Sequence, residues 1–353
     1  MPMTDIKTKI IIPWVRSRDW LIKLVTDETC IYFIKRLLQA LLTVFLASAL
    51  SFFVMKFSPG DYIDTLRQNP KISPERIEEI RRQFGLDRTW WEQFLLWIRQ
   101  IITRGDFGTS FVYQRPVASL IWERIPNTLL LAVASLIVTW AVAIPLGIIA
   151  AVQQNRSTDK VLQVLSYAGQ GFPSFITALF LLFVAQITTP LFPVGNITSL
   201  NHSELTWFGK ILDISWHILL PLIALSITSF AGLQRIMRGQ LLDTLRQDYI
   251  QTARAKGLPE NRVIYVHALR NAINPLITLL GFELASLLSG AFITENFFNW
   301  PGLGKLTLQA VLAKDQYLVM ASLVMSAVLL ICGNLIADLM LKAADPRIRL
   351  EDL

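Results

Sequence analysis

Residues 128–152 read TLLLAVASLIVTWAVAIPLGIIAAV, a run without one charged side chain. A helix rises about 1.5 Å per residue, so roughly 20 apolar residues cross about 30 Å of hydrocarbon. This run is long enough, and Pro145 inside it is tolerated because membrane helices re-satisfy the freed backbone groups with neighbours. Five more stretches qualify on the same ground. Residues 37–55 are charge-free and bracketed by Lys35, Arg36 and Lys56. Residues 164–186 are interrupted by Gly169, Gly171 and Pro173, which predicts a kink or break with the apolar body at 172–185. Residues 216–233 end against Arg235, residues 274–293 carry one acid, Glu283, and residues 318–341 carry Asn334 and Asp338. The fold class expected is therefore an all-α polytopic membrane protein with six transmembrane helices.

Composition agrees. The chain has 353 residues, 53% hydrophobic and only 17% charged, against about a quarter charged in an ordinary soluble domain. A formal charge of +7 would suggest nucleic acid in a soluble protein. Here Lys and Arg gather beside apolar runs, where they set membrane orientation, so the basicity is topological and no nucleic-acid partner is expected. Cys30 and Cys332 lie before the first span and inside the last, which predicts no disulfide. The first thirty residues carry Lys7, Lys9, Arg16, Arg18 and Lys23 without the continuous apolar core of a signal peptide, so the amino terminus is expected to be retained inside. Residues 10–25 have a ragged pattern compatible with a surface helix, and no function attaches to it.

Short loops fix the expected orientation. The loop at 153–159 with Lys160 beside it, and the Arg- and Lys-dense segment 235–270, belong in the cytoplasm. The loops 187–215 and 294–317 hold only Lys210, Lys305 and Lys314 and belong outside, which makes both termini cytoplasmic. Residues 61–125 then form a small extracytoplasmic element. A helix is expected to start at Ser73 and Pro74 with apolar spacing through Ile77, Ile80 and Phe84, and a second at 90–102 carries Trp90, Trp91, Phe94 and Trp97, which rest at the membrane interface, the favoured reading, or bind a partner. Without repeats, low-complexity tracts or flexible linkers, the chain reads as one membrane domain.

The cytoplasmic segment reads GQLLDTLRQDYIQTARAKGLPENRVIYVHALRNAINP. Residues 241–256 favour a helix, Gly257 suits a left-handed C′ position, and Pro259 suits N1 of a following helix, so two helices meet at a corner projecting from the membrane. Small Ala253 and Ala255 would admit a close protein partner, and Arg254 and Lys256 would meet acidic groups or helix ends. A basic loop lying on anionic lipid explains the same residues equally well.

DYIQTARAKG followed by HALRNAINP resembles the cytoplasmic signature of ABC importer permeases, in which this corner is the coupling helix that docks into an ATPase subunit. Ala253 and Gly257 match that signature; Gln251 stands where the general motif has Glu, Thr252 replaces its first Ala, and TARAKG is the wording of the peptide and nickel branch. The resemblance implies an ATPase-coupling site formed by Ala253, Arg254, Ala255, Lys256, Gly257, Leu258 and Pro259. It continues through SPGD at 58–61, FGLDRTWWEQFLLWI from 84, GDFGTSF from 105, RPV from 115, ENFFNWPGLGKL from 295 and DPRIR from 345, in the order of the B-type subunit of dipeptide/oligopeptide permeases. Residues 32–353 are thus expected to be the permease domain, with 61–125 the outer element and 235–272 the coupling loop, and residues 1–31 an extension. The partners implied are a second similar permease, two ATPase subunits that hold ATP and Mg, an extracytoplasmic solute-binding protein and membrane lipid. This chain itself is expected to bind no cofactor or metal.

Six spans with a midplane acid would also suit a channel or secondary transporter, though such a protein has no need of the two-helix cytoplasmic corner. Catalysis is not expected. His202, His217 and His267 are scattered and form no H-E-x-x-H pair, no G-x-S-x-G turn occurs, and WPGLGKL fails as a phosphate loop because Asn299 and Leu306 occupy its Gly and Ser/Thr positions. Two further expectations concern the spans. Trp300, Pro301, Gly302 and Gly304 predict a tight re-entrant turn near the outer mouth, anchored at the interface by Trp300, with Leu303 and Lys305 accessible from outside. Glu283, halfway along the fifth span, is expected to avoid lipid and to line the translocation pathway, or else to be protonated or held by the partner permease.

Overall fold

Apolar residues at all azimuths and flanking bases make residues 28–57 a single helix, α1 (Glu28–Phe57). The structure, a computed structural model, describes residues 28–57, 59–68 and 72–344. Most of the 1–31 extension, its 10–25 segment and the terminal DPRIR lie outside the described residues. Three short helices follow, α2 (Tyr62–Arg67), α3 (Pro74–Gln83) and α4 (Trp90–Arg104). The long ones are α5 (Val117–Val152), α8 (Trp207–Leu245), α12 (Asn274–Phe297) and α14 (Gln316–Ala344). Between them lie α6 (Ser157–Gly171), α7 (Ser174–Ile187) and α13 (Leu303–Leu312). No β-strand occurs among the described residues, only an isolated bridge between Thr109 and Pro116.

Among the described residues four helical stretches are long and apolar enough to cross a membrane: Ile34–Asp64, Val117–Val152, Trp207–Leu245 and Gln316–Ile336. Helices α6 and α7 make a fifth if taken together, and they are bent by 101° where the sequence predicts the break. The cause is Pro173, which lacks an N–H and forces the preceding Phe172 into an extended conformation at φ −96° and ψ 122°. The stretch 274–293 lies on α12, a 24-residue helix several of whose side chains fall outside the description.

Helices α5 and α8 pack along each other at the centre; α12 crosses both, α14 covers α12, α1 lies on α14, and α6 and α7 lie on α8. The 216–233 stretch sits within a helix of 39 residues, because its charged continuation keeps good helix formers and charge alone does not end a helix. Helix α3 begins as the sequence predicts, with Ser73 Oγ accepting the Arg76 N–H and Pro74 in the first turn. Helix α4 continues two residues past the expected 102 and ends on left-handed Gly105.

The aromatic residues of α4 do not share one environment. Trp90 and Trp91 are half exposed, but Trp97 is buried with Val117, Leu120, Ile121, Leu306 and Leu318, its indole donating to Phe107 O at 3.0 Å, and Phe94 packs against the same cluster. Trp97 is therefore a core residue, corrected from the interface: an indole whose donor has a backbone carbonyl partner keeps its hydrogen bond on leaving water. Asp315 straps this region to α14, accepting from Ser110 Oγ at 2.6 Å, Val112 N at 3.1 Å and Leu318 N at 3.3 Å. Burial pushes its carboxyl up from the ordinary range while these hydrogen bonds oppose the shift.

Candidate functional site

The predicted corner is present, with its break displaced. Helix α8 stops at Leu245, Gln247 adopts ψ 147°, and a separate short helix, α9 (Asp248–Ala255), carries the signature. Asp248 lies in the first turn of α9, where the helix dipole favours an acid, and this supports a fresh start where the sequence suggests one continuous helix over 241–256. Lys256 caps α9, and Gly257 follows at φ +74° with its N–H on Arg254 O at 2.9 Å. Pro259 is the N-cap of α10 (Glu260–Arg262), one position earlier than expected, since its ψ of 142° is still extended. The chain continues as a π-helical turn (Val263–Ala268) and α11 (Leu269–Ala272) into α12.

Two faces of the corner have different chemistry. Ile250, Ala253, Val263, Ile264, Ala268 and Ala272 are buried against Met237 and Leu241 of α8 and Ile148 and Ala151 of α5. Ala253 is only 8% exposed, so it seats the corner on the bundle, whereas the sequence suggested an open small residue beside which a partner could approach. Its position, three residues after Ile250 on α9, places both on one helical face. Thr252, Arg254, Ala255, Lys256, Gly257 and Pro259 are exposed, and Leu258 is half-buried. Arg254 is already engaged within the corner, donating through Nε at 3.2 Å and Nη2 at 2.6 Å to Glu260. The guanidinium holds the Glu260 carboxyl below its ordinary range.

An ion pair not anticipated from sequence braces the same end of the bundle. Arg238 of α8 makes a bidentate contact with Asp159 of α6, at 2.7 Å for both bonds, and Asp159 also accepts from Asn155 N and Gln163 Nε2. Asp159 is fully buried. The two residues are 79 positions apart, and nothing local in the sequence pairs them.

At the opposite end of α12 the turn at 298–303 is closed. Glu295 and Trp300 are both fully buried. Glu295 accepts from Thr128 Oγ1 at 2.6 Å and Lys305 N at 3.1 Å, and Thr128 Oγ1 in turn accepts from Leu303 N at 2.8 Å. Asn127 donates to Pro301 O at 2.8 Å and accepts from the Trp300 indole at 3.0 Å. Gly302 is required by this closeness, since a Cβ there would collide with the Glu295 carboxylate. Gly304 packs against Phe292 and the same carboxylate. The tight reversal is as expected, but Trp300 anchors it in the core and Leu303 is buried, while Lys305 is half-buried. A backbone carbonyl partner for the indole, Asn127 O, explains the difference.

Glu283 is remote from both ends. Leu276, Leu287, Ala291 and Thr294 of α12 are buried, and Glu283 falls on their stripe at helical spacing. Its Oε1 is buried and has no hydrogen-bond partner among the described residues. Among the described residues no group of three or more His, Cys, Asp or Glu side chains is placed to hold a metal.

A family profile described as "Binding-protein-dependent transport system inner membrane component" matches residues 143–350, and its amino-terminal companion matches residues 30–132. An oligopeptide transport system permease protein, AppB, of Bacillus subtilis (strain 168) is 40% identical over 318 residues, covering 90% of this chain and 98% of AppB. The dipeptide transport system permease protein DppB of Lactococcus lactis subsp. cremoris (strain MG1363) is 34% identical over 320 residues, 90% of this chain and 99% of DppB. The glutathione transport system permease protein GsiC of Escherichia coli (strain K12) is 36% identical over 321 residues, 90% of this chain and 98% of GsiC. A solved structure of the MetNI methionine ABC transporter in inward facing conformations shares the fold, with a TM-score of 0.53 at 14% identity, covering 65% of this chain and 97% of that chain.

Proposed function

The chain belongs to the family of binding-protein-dependent transport system inner membrane components, and from that premise we propose that it is the permease subunit of an ATP-driven importer of peptides or related small solutes. It spans the inner membrane six times with both termini in the cytoplasm, the 274–293 stretch and the α6–α7 pair supplying two of the spans. Helices α2 to α4 lie outside. A second permease pairs with it around the pathway, a solute-binding protein delivers cargo, and two ATPase subunits bind ATP and Mg and carry out the hydrolysis. Support for the peptide class comes from the names of its relatives, which also include a glutathione permease.

The observation that carries the reading is the two-faced corner: an apolar seat of Ile250 and Ala253 on the bundle, and an exposed rim of Arg254, Ala255, Lys256, Gly257 and Pro259. A rim held on a rigid seat passes a partner's displacement to α8 and α12, and ATP-driven closure of the ATPase pair would switch access in this way. Gly257 supplies the test. A Cβ built there meets nothing within 4 Å, so only its left-handed φ opposes substitution. Gly257→Val should cost roughly 1–2 kcal/mol at the turn and misdirect the rim, whereas Gly257→Asn, which tolerates this conformation, should be mild. In the reconstituted complex the Val variant is expected to insert yet lose uptake and transport-stimulated ATP hydrolysis together, with Asn near wild type. Unchanged coupling in the Val variant would remove the docking role from the corner.

Glu283 is the second element of the proposal. An ionised carboxylate facing lipid costs a few kcal/mol, and such residues turn to an interior or an aqueous cavity. Its place on the buried stripe of α12 with one unpartnered oxygen supports a role facing the pathway, toward cationic groups of the cargo. Glu283→Gln should reduce uptake of cationic cargo selectively; equal uptake of cationic and neutral cargo by a normally assembled variant would eliminate that role.

A further inference from the structure

The two halves of the bent span are attached to different ends of the molecule. Helix α6 is joined to α8 by polar contacts. Asp159, Gln163 and Ser166 share one face of α6, and Gln234 and Arg238, four residues apart, share one face of α8. Arg238 holds Asp159 through two bonds of 2.7 Å, and Ser166 Oγ donates to Gln234 Oε1 at 2.6 Å. Asp159, Ser166 and Gln234 are all buried, and the Arg235 guanidinium lies over the Tyr167 ring at 5.7 Å. Sliding α6 by one turn would leave a buried carboxylate and a buried amide without these partners, which is costly, so the register is fixed and α6 follows α8.

Helix α7 is held elsewhere and by other means. Ala178 and Ala185 are buried with Leu220 and Ala224 in the first half of α8 and with Phe298 of the closed turn. The chain after α7 returns to that turn, Asn196 N donating to Phe298 O at 2.9 Å. Between the two halves, Phe172 and Pro173 are both extended, at ψ 122° and 141°, so the helical ladder stops, and Ile176 N begins a new one on Pro173 O at 3.0 Å. A joint between segments anchored to different bodies is where a hinge concentrates its change of φ and ψ.

The α6 contact also lies next to the corner. Arg238 falls between Met237 and Leu241 on α8, and those two side chains belong to the buried cluster in which Ile250 and Ala253 are seated. One turn of α8 thus carries the corner on one side and α6 on another. We infer that Asp159 and Arg238 are positioning residues that make α6 move with the corner and the second half of α8 as one unit, while α7 stays with the closed turn, so that the span changes its bend at Phe172 and Pro173 during transport. This rests on the docking role proposed for the corner.

Spin-label distances test it in the assembled transporter in nanodiscs, on a background of Cys30→Ser and Cys332→Ser. Labels at exposed Val164 of α6 and Phe183 of α7 report across the joint, and labels at exposed Val161 of α6 and Asp243 of α8 report within the unit. Between the nucleotide-free and ATP-trapped states the first distance should change by about 2 Å or more, the scale of helix shifts in such transitions, and the second should stay within about 1 Å. Arg238→Gln should lower uptake roughly tenfold while ATP hydrolysis continues, as lost coupling requires. Arg238→Lys, which keeps the charge but not the two-pronged geometry, should lower uptake less. A fixed distance from Val164 to Phe183, an equal change from Val161 to Asp243, or normal uptake by Arg238→Gln would each overturn the inference. Should Arg238→Gln fail to assemble, the two distances measured with Asp159 and Arg238 intact decide. If the distance across the joint stays fixed while Gly257→Val uncouples transport, the corner keeps its docking role and only the inference about α6 falls; if Gly257→Val stays coupled, the docking role falls and the inference with it.

Discussion

Helix α12 has a different kind of chain reversal at each end. Before Asn274 the corner is open: its outer residues are in contact with solvent, one glycine turns the chain, and the ion pair between Arg254 and Glu260 is exposed, with side chains 42% and 54% accessible. After Phe297 the turn is closed, with Trp300 and Glu295 fully buried and hydrogen bonds to Asn127 and Thr128 of α5. Both were read from glycine and proline in the sequence, and the same residue types serve opposite ends. At Gly257 the requirement is a left-handed φ in open space; at Gly302 it is the absence of a side chain beside a carboxylate. A helix clamped at one end and presented to solvent at the other can transmit a push received at the open end, since the clamped end defines what it moves against.

The comparison predicts unequal sensitivity. Trp300→Ala removes a fully buried side chain and leaves the Asn127 carbonyl without its indole donor, and the expected loss is the largest in the molecule's two turns, about 3–5 kcal/mol. Thermal unfolding of the solubilised chain measures it. A loss under about 1 kcal/mol would mean that the turn at 298–303 is not a clamp, because surface positions lie in that range.

How far the sequence carried depended on whether a signal was local. The break between α6 and α7 was legible because Pro173 dictates it from one position away, and so were the start of α3 at Ser73 and the left-handed Gly257. The direction each side chain takes was not. Trp97 and Trp300 are aromatic residues near span ends, which is the composition of an interface belt, yet each is buried and finds a backbone carbonyl for its indole through the tertiary fold. Ala253 belongs to a recognisable signature, but which face of α9 packs inward depends on the break at Gln247 that restarts the helix. Asp159 with Arg238 and Thr128 with Glu295 are pairs 79 and 167 residues apart, for which a single sequence offers no cue.

The smallest effect is expected at the exposed pair. Arg254 holds the Glu260 carboxyl below its ordinary range, so by linkage the pair contributes stability at pH values above that range and loses it as pH falls through the lowered value. Both side chains are more than one-third accessible, which screens the interaction, so the contribution is a few tenths of a kcal/mol and shrinks further in high salt. Arg254→Gln and Glu260→Gln should therefore each shift thermal unfolding slightly at neutral pH, and the double variant should lose little more than either single one, since each single change already removes the shared pair. Coupled ATP hydrolysis discriminates further. If Arg254 serves only Glu260, the two single variants behave alike; if it also meets an acidic group of an ATPase partner, Arg254→Gln reduces coupling more than Glu260→Gln does while their unfolding temperatures stay together. A stability loss above about 2 kcal/mol from either single change lies beyond what an exposed pair supplies, and it would mean that the corner is as firmly closed as the turn at Trp300, which would dissolve the contrast between the two ends of α12.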